Sequence, residues 1–279
     1  LKTLINGKKS LIIPPICMNN TFIAGFNKKA ELFNDYFADQ CAPIENGSLL
    51  PEDVDVITDK SILNVEFNLD DVHNIIKNLD INKANGYNNI SVRMIKIFGE
   101  SICKPLELIF CSCLNLGVFP DTWKRANIIP IHKKNEKNSL KNNRPFSLLP
   151  VCSKIFERLI FNSLYNDLHK NKLLHPNQSG FKPNDSCTNQ LISITHMIYS
   201  SLNHSDSHEV HGIFLDMSKA FDKVWHEGLL HKLKTFGISN NIYFVLKSFL
   251  SNRLQRVTLN GLNSDWRNLK AGVPLGSIL

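Results

Sequence analysis

Apolar positions along this chain follow a helical period in most stretches and a strand period in a few, and the changes of period predict its elements. From Asn27, the side chains of Leu32, Phe33, Tyr36 and Phe37 share one side of a helix that Pro43 ends. Asn68 marks a helix start, with Asp71 three residues on and Val72, Ile75, Ile76 and Leu79 forming an apolar stripe. A helix over 101–116 carries Leu106, Ile109, Phe110, Cys113 and Leu114, and Gly117 and Pro120 close it. Ser153 is read as the cap of a long helix bearing Ile155, Phe156, Leu159, Ile160 and Leu164. Shorter helices are predicted over 186–202, over 226–234 with Gly237 as the stop, and over 241–250. A strand with basic residues at its exit lies within 126–134, and residues 251–261 read as a basic loop, an alternating strand and an Asn260-Gly261 hairpin turn. Val210 to Leu215, broken by His211 and Gly212, reads as a buried strand with Asp216 at its C-terminal end. A helical pattern then opens at Ser218 with Phe221, Val224 and Trp225. Residues 1–26 have no clean period, Pro14-Pro15 impose an extended stretch, and 43–65 read as loop.

Composition narrows the class. A chain of 279 residues is long enough for one large domain or two small ones, and 43% hydrophobic residues can fill a substantial core. The formal charge of +7 comes from dispersed Lys and Arg, with local concentrations at 28–29, 133–141 and 253–256. Such a surface suits nucleic acid, through counterion release, and equally suits an ordinary soluble protein. Seven cysteines without a Cys-x-x-Cys read as reduced thiols, with Cys111 and Cys113 on different helix faces. No apolar run approaches the ~18 residues of a membrane span and no basic-then-apolar leader marks secretion, so a nuclear and cytoplasmic protein is expected. The start at Leu1 rather than Met, and the end at Leu279, lead us to expect a fragment.

Asp216 is the first candidate for chemistry. A carboxylate at the exit of a rigid strand can meet a hard metal ion together with a neighbouring backbone carbonyl, and it can equally be a turn or capping residue. Asp216-Met217-Ser218-Lys219-Ala220-Phe221-Asp222 resembles motif A of reverse transcriptases, in the form found in non-LTR retrotransposons of the jockey and LINE type. The resemblance implies that Asp216 and the Met217 carbonyl bind magnesium, two ions being expected in the complete enzyme. It makes Phe221 the gate that excludes a ribonucleotide 2′-hydroxyl. Asp222, within the helical pattern, is read as a capping or structural residue.

Other blocks extend the likeness in order. Lys83-Ala84-Asn85-Gly86-Tyr87-Asn88-Asn89-Ile90 resembles the signature ahead of the fingers, with Asn88 where the family usually has Asp. Trp123 to Lys134 and Asn143-Arg144-Pro145-Phe146-Ser147-Leu148-Leu149 resemble two fingers blocks, and imply that Lys133 and Arg144 face the incoming triphosphate. Read alone, both are solvated surface cations. Gln178-Ser179-Gly180-Phe181-Lys182 resembles a template-side segment, with packing the simpler role for Phe181. Arg253, within a block similar to the family's "L-x-x-R-x-Q-x-V", joins the template and primer contacts. Gly272-Val273-Pro274-Leu275-Gly276-Ser277 resembles motif B. It implies template or primer contacts at Gly272 and Pro274 and nucleotide contacts at Leu275 and Gly276. Leu275 stands where the family has Gln, and a Leu packs where a Gln would donate and accept hydrogen bonds. His204, His208 and His211 are spaced for a zinc site or belong to a solvated loop.

The resemblance implies an α+β, right-hand polymerase: fingers and a partial palm over 119–279, cut after motif B, and a mostly helical linker region over 1–118. It implies RNA-directed DNA polymerisation, with an RNA template, a DNA primer and dNTPs as partners and no membrane. The motif C carboxylates lie beyond Leu279 in that family, so this piece alone is expected to be inactive. The rivals are a dead remnant that at most binds RNA, an intron-encoded or telomerase-like polymerase, and a basic α/β domain without nucleic-acid function. The Ser-Lys-Ala-Phe-Asp-Lys-Val form of motif A favours the retrotransposon type.

Overall fold

Residues 13–18, 21–41, 50, 56, 65–203 and 209–279 are described by a computed structural model of the chain. The helices are α1 (Phe26–Gln40), α2 (Leu69–Asn78), α3 (Val92–Phe98), α4 (Cys103–Leu116), α5 (Val151–Lys170), α6 (Cys187–Leu202), α7 (His226–Thr235) and α8 (Asn240–Leu250). The strands are β1 (Ile16–Met18), β2 (Thr21–Ile23), β3 (Arg125–His132), β4 (Asn143–Leu148), β5 (Arg253–Leu259), β6 (Leu262–Asn263) and β7 (Arg267–Leu269). Helix and sheet are mixed, an α+β arrangement. The contacts divide into residues 1–165 with 219–279, and residues 166–218.

In the first unit, β3 is the hub of the sheet. It pairs antiparallel with β4 and parallel with β5, and β5 in turn carries β6 and β7. The parallel pair joins chain segments too distant for a hairpin, as a parallel pair must. Period-two alternation puts Ala126, Ile128, Val257 and Leu259 on one face, where Phe33 and Phe37 of α1 cover them. Burying such side chains contributes about 1.5–3 kcal/mol each for the larger ones. A buried polar pair fixes the helix on the sheet: Gln255 Nε2 donates to Asn34 Oδ1 at 3.2 Å, and Asn34 Nδ2 donates to the Asp265 carbonyl at 2.7 Å. A second core is aromatic. Phe110, Phe119, Trp123, Phe156 and Phe249 meet with ring centroids 5.1–5.8 Å apart.

Several start and stop signals act as the sequence predicts. Asn68 and Asp71 form a reciprocal capping box, each side chain accepting from the other's backbone N–H. Gly117 ends α4 in the left-handed conformation. Asn260 (φ 49°) and Gly261 (φ 85°) make the tight turn between β5 and β6. The role of Gly86 is close approach: a Cβ there would stand 2.5 Å from the Pro150 nitrogen and 2.7 Å from the Leu149 carbonyl carbon. Ser153 is not a cap, because α5 begins at Val151, directly after Pro150. Most of the loop expected over 43–65 lies outside the described residues. All seven cysteines are free thiols. Among the described residues, no helix is long and apolar enough to cross a membrane.

The second unit departs most from expectation. Residues 210–217 form no strand, and Phe214 and Leu215 are 86% and 93% exposed. A strand covered on both faces needs hydrogen-bonded neighbours, and among the described residues none pairs with this segment. Helix α6 begins at its predicted cap, Ser186, whose hydroxyl accepts from the Asn189 N–H at 3.1 Å, yet it buries no residue. The helix expected from Ser218 is also absent. Residues 218–223 are turns, with Lys219 at φ 55°, and helical structure starts only at His226.

Candidate functional site

Within the first unit, three separate stretches of sequence close on one another. The segment 270–279 is the centre of this arrangement. Gly272 N–H donates to the Val224 carbonyl and Val273 N–H to the Phe221 carbonyl, each at 2.9 Å. His226 Nε2, as its protonated tautomer, donates to the Gly272 carbonyl at 2.7 Å. The loop is thus stitched to the turn that follows Asp216 in sequence. On its other side, Ser147 N–H on β4 donates to the Leu275 carbonyl at 2.8 Å, so the loop covers the open edge of that strand. Its end is held by Glu157, whose Oε2 accepts from Ser277 Oγ at 2.6 Å and from Ile278 N–H at 2.8 Å.

Glycine is required at two points of this loop. Gly272 has φ 81°, and a Cβ there would lie 2.7 Å from the Asp222 carbonyl oxygen. Gly276 has φ 115°, with a hypothetical Cβ 2.9 Å from the Ser147 carbonyl oxygen. Both the conformation and the space exclude side chains.

The predicted site residues fall into two groups. Phe221, Arg144, Gly272, Pro274, Leu275 and Gly276 belong to this convergence or to the strand beside it. Arg144 is exposed on β4 in register with Ile131, and Lys133 is exposed just past β3, its N–H donating to the Asn142 carbonyl at 2.8 Å. Asp216, Met217, Gln178, Gly180, Phe181 and Lys182 lie in the second unit, all exposed. Phe181 is 85% exposed at φ 60°. Asn88 still closes its turn, accepting from Ile90 N–H at 3.3 Å. His204 and His208 lie outside the described residues, and His211 Nε2 sits 2.9 Å from Glu209 Oε1.

Arg253 is a correction. It is 2% exposed, its Nη1 donates to the Phe249 carbonyl at 2.9 Å, and its guanidinium lies over the Phe249 ring at 4.7 Å. Strand alternation sends it to the same buried side as Val257 and Leu259. Burial pulls its pKa down to about 10, while Glu157 acts in the opposite direction. The alternating sequence already held this signal, since Arg253, Gln255, Val257 and Leu259 share one parity. The sequence reading also missed Glu157, an acid on the same helical stripe as Ile160 and Leu164.

Residues 131–279 match the family described as reverse transcriptase (RNA-dependent DNA polymerase). The chain belongs to the reverse transcriptase family. It is 37% identical over 212 residues to the RNA-directed DNA polymerase from mobile element jockey of Drosophila melanogaster, covering 76% of this chain and 23% of that protein. It is 34% identical over 212 residues to a probable RNA-directed DNA polymerase from transposon BS of Drosophila melanogaster, covering 76% of this chain and 23% of that protein. A probable RNA-directed DNA polymerase from transposon X-element of Drosophila melanogaster is 30% identical over 277 residues, or 95% of this chain and 30% of that protein. The chain therefore spans between a fifth and a third of the length of these curated relatives.

Reverse transcriptases generally use divalent metal ions. The Asp216 carboxylate and Met217 carbonyl are hard oxygen donors of the right kind. Among the described residues, however, no group of three or more His, Cys, Asp or Glu side chains could hold a metal ion. One carboxylate and one carbonyl do not make a two-ion site, so these residues do not complete it.

Asp222 has a structural setting in this member of the family. Burial holds its carboxyl above the ordinary value of 3.8, and Lys219 offsets part of that rise. Its charge and burial together push the Cys41 thiol up to about 12, burial being the larger cause. Because the folded Asp222 binds its proton more tightly than the unfolded chain does, its contribution favours folding at low pH. That contribution declines as pH rises from 3.8 through the folded value. Asp222→Asn is therefore expected to raise the melting temperature at neutral pH and to change it little near about pH 3. Thermal unfolding of this chain at the two pH values checks this, and a gap that fails to widen with pH would contradict it.

Proposed function

We propose that the parent of this chain is the RNA-directed DNA polymerase of a non-LTR retrotransposon. In this reading, residues 119–279 supply fingers and part of the palm, and 1–118 form a linker region ahead of them. The observation that carries it is the convergence of β4, the 221–226 turn and the 272–278 loop through three backbone hydrogen bonds and the His226 contact. Arg144 offers a planar guanidinium to phosphate oxygens, and Lys133 adds a point charge. Phe221, on the turn that seats the loop, limits the sugar at its 2′ position. The tight backbone of Gly272 to Gly276 lies against the nascent pair, where side chains at the glycines would intrude.

The reaction is attack of a primer 3′-hydroxyl on the α-phosphate of a dNTP, templated by RNA, with pyrophosphate leaving. Mg²⁺ supplies charge stabilisation when bound, with Asp216 and Met217 as the ligands from this chain and the others from outside the described residues. Exposed Gln178, Gly180, Phe181 and Lys182 contact the template or primer, where a ring can stack on a base. The protein works inside the cell, in nucleus and cytoplasm.

Primer extension on an RNA template by the full-length parent tests this. Arg144→Ala is expected to raise the KM for dNTP roughly ten- to a hundredfold with a smaller change in kcat, as the loss of a charged hydrogen bond of about 1.5–3 kcal/mol implies. No extension by the wild-type parent would remove the polymerase reading. Leu275, in place of the hydrogen-bonding Gln, favours the second reading, a remnant that only binds RNA. Salt-sensitive RNA binding without extension would identify it.

A further inference from the structure

Glu157 is fully buried in α5, yet every bond drawn for its carboxylate leads to a specific donor. Oε1 accepts from Ser153 Oγ at 2.6 Å, one helical turn back. Oε2 accepts two bonds, from Ser277 Oγ at 2.6 Å and from Ile278 N–H at 2.8 Å. A buried carboxylate is costly unless its oxygens are satisfied, and here two of three donors come from a segment 120 residues away. The helix itself could have been built with a Leu on this stripe. The acid therefore serves the loop more than the helix.

We propose that Glu157 is a positioning residue that fixes the Gly272–Ser277 loop for the nucleotide through Ser277 Oγ and the Ile278 N–H. The inference rests on the reading of that loop as the nucleotide-side element. The other anchors of the loop are backbone contacts to β4 and to the 221–226 turn and the His226 side chain, which set its position but leave its C-terminal end to Glu157. Without that end fixed, Gly276 has no side chain of its own to hold its unusual backbone conformation. Arg253 is also buried, its Nη2 lacks a hydrogen-bond partner among the described residues, and it interacts electrostatically with Glu157.

Two measurements test this, one of them independent of catalysis. In the full-length parent, Glu157→Ala is expected to raise the KM for dNTP about tenfold while RNA binding is kept. Ser277→Ala should raise it about threefold, and the double variant should be no worse than Glu157→Ala. Glu157→Gln should recover most of the loss, because its amide oxygen still accepts from Ser277 and Ile278 while its NH2 donates to Ser153. A role only in balancing Arg253 or closing the helix predicts the opposite: Gln as harmful as Ala, and Ser277→Ala silent. The second measurement is amide exchange at Ile278 in the same proteins. Ser277→Ala, which leaves Glu157 in place, guards against a Glu157→Ala variant that does not fold. Exchange at Ile278 faster by about tenfold in Glu157→Ala, and less so in Ser277→Ala, supports the proposal. Unchanged exchange in a folded Glu157→Ala protein overturns it, as does an unchanged KM. If the wild-type parent fails to extend primers, the polymerase reading falls and the exchange at Ile278 alone decides whether Glu157 holds the loop.

Discussion

Primer extension by the full-length parent should disappear when Asp216 is replaced by Ala, and should be lost as fully with Asn. The structure makes this a clean experiment. Asp216 is exposed, and among the described residues it forms no ion pair. Substitution at such a position ordinarily changes stability by no more than about 0.5 kcal/mol. A loss of activity would then report on chemistry rather than on folding. Asn keeps the shape and one accepting oxygen, but removes the charge and puts an NH2 donor in place of the second oxygen. The expected loss is at least about a hundredfold, or roughly 2.7 kcal/mol of transition-state stabilisation. Near-normal extension by Asp216→Asn would refute the assignment of Asp216, whatever becomes of the rest of the site.

Gly272→Ala should have the largest effect on folding. At φ 81° an L-residue costs about 1–3 kcal/mol in strain. The added methyl would also stand 2.7 Å from the Asp222 carbonyl oxygen and 3.0 Å from that of Phe221. Both are backbone atoms, so neither can turn aside. Overpacking of this kind adds about 1–3 kcal/mol. Relief requires the loop to lift from the turn, which breaks the bonds from Gly272 N–H and Val273 N–H. The sum is about 2–6 kcal/mol, read as a lower midpoint in denaturant unfolding of this chain. In the parent, extension should fall with it. A midpoint equal to wild type would mean that the loop does not sit on this turn.

The sequence made some of this legible and not the rest, for definable reasons. Local signals carried through: the Asn68–Asp71 box, the Gly117 stop and the Asn260-Gly261 turn depend on neighbours within a few residues. The Gly-x-Pro-x-Gly-Ser pattern was visible, and the geometry supplies its physical cause, two carbonyls that leave no room for a Cβ. Residues 210–215 were misread because an apolar run states a need for partners without saying that they are present. Arg253 was misread because its charge was weighed above the parity of its strand. Glu157 was overlooked for the opposite reason. Its meaning lies in Ser277 and Ile278, which no local pattern in α5 contains.

The parallel pairing of β3 with β5 also has a consequence for synthesis. Arg125 pairs with Leu254, so the centre of the sheet cannot close until 254 − 125 = 129 further residues have been made. At about 5–20 residues per second, translation leaves the β3–β4 hairpin waiting on the order of ten seconds with one edge open. During that interval α1 has no β5 to cover, and Asn34 has no Gln255 to satisfy it. The nascent chain is then a client for chaperones and a target for proteases, so the yield of folded protein depends on how quickly the ribosome reaches β5.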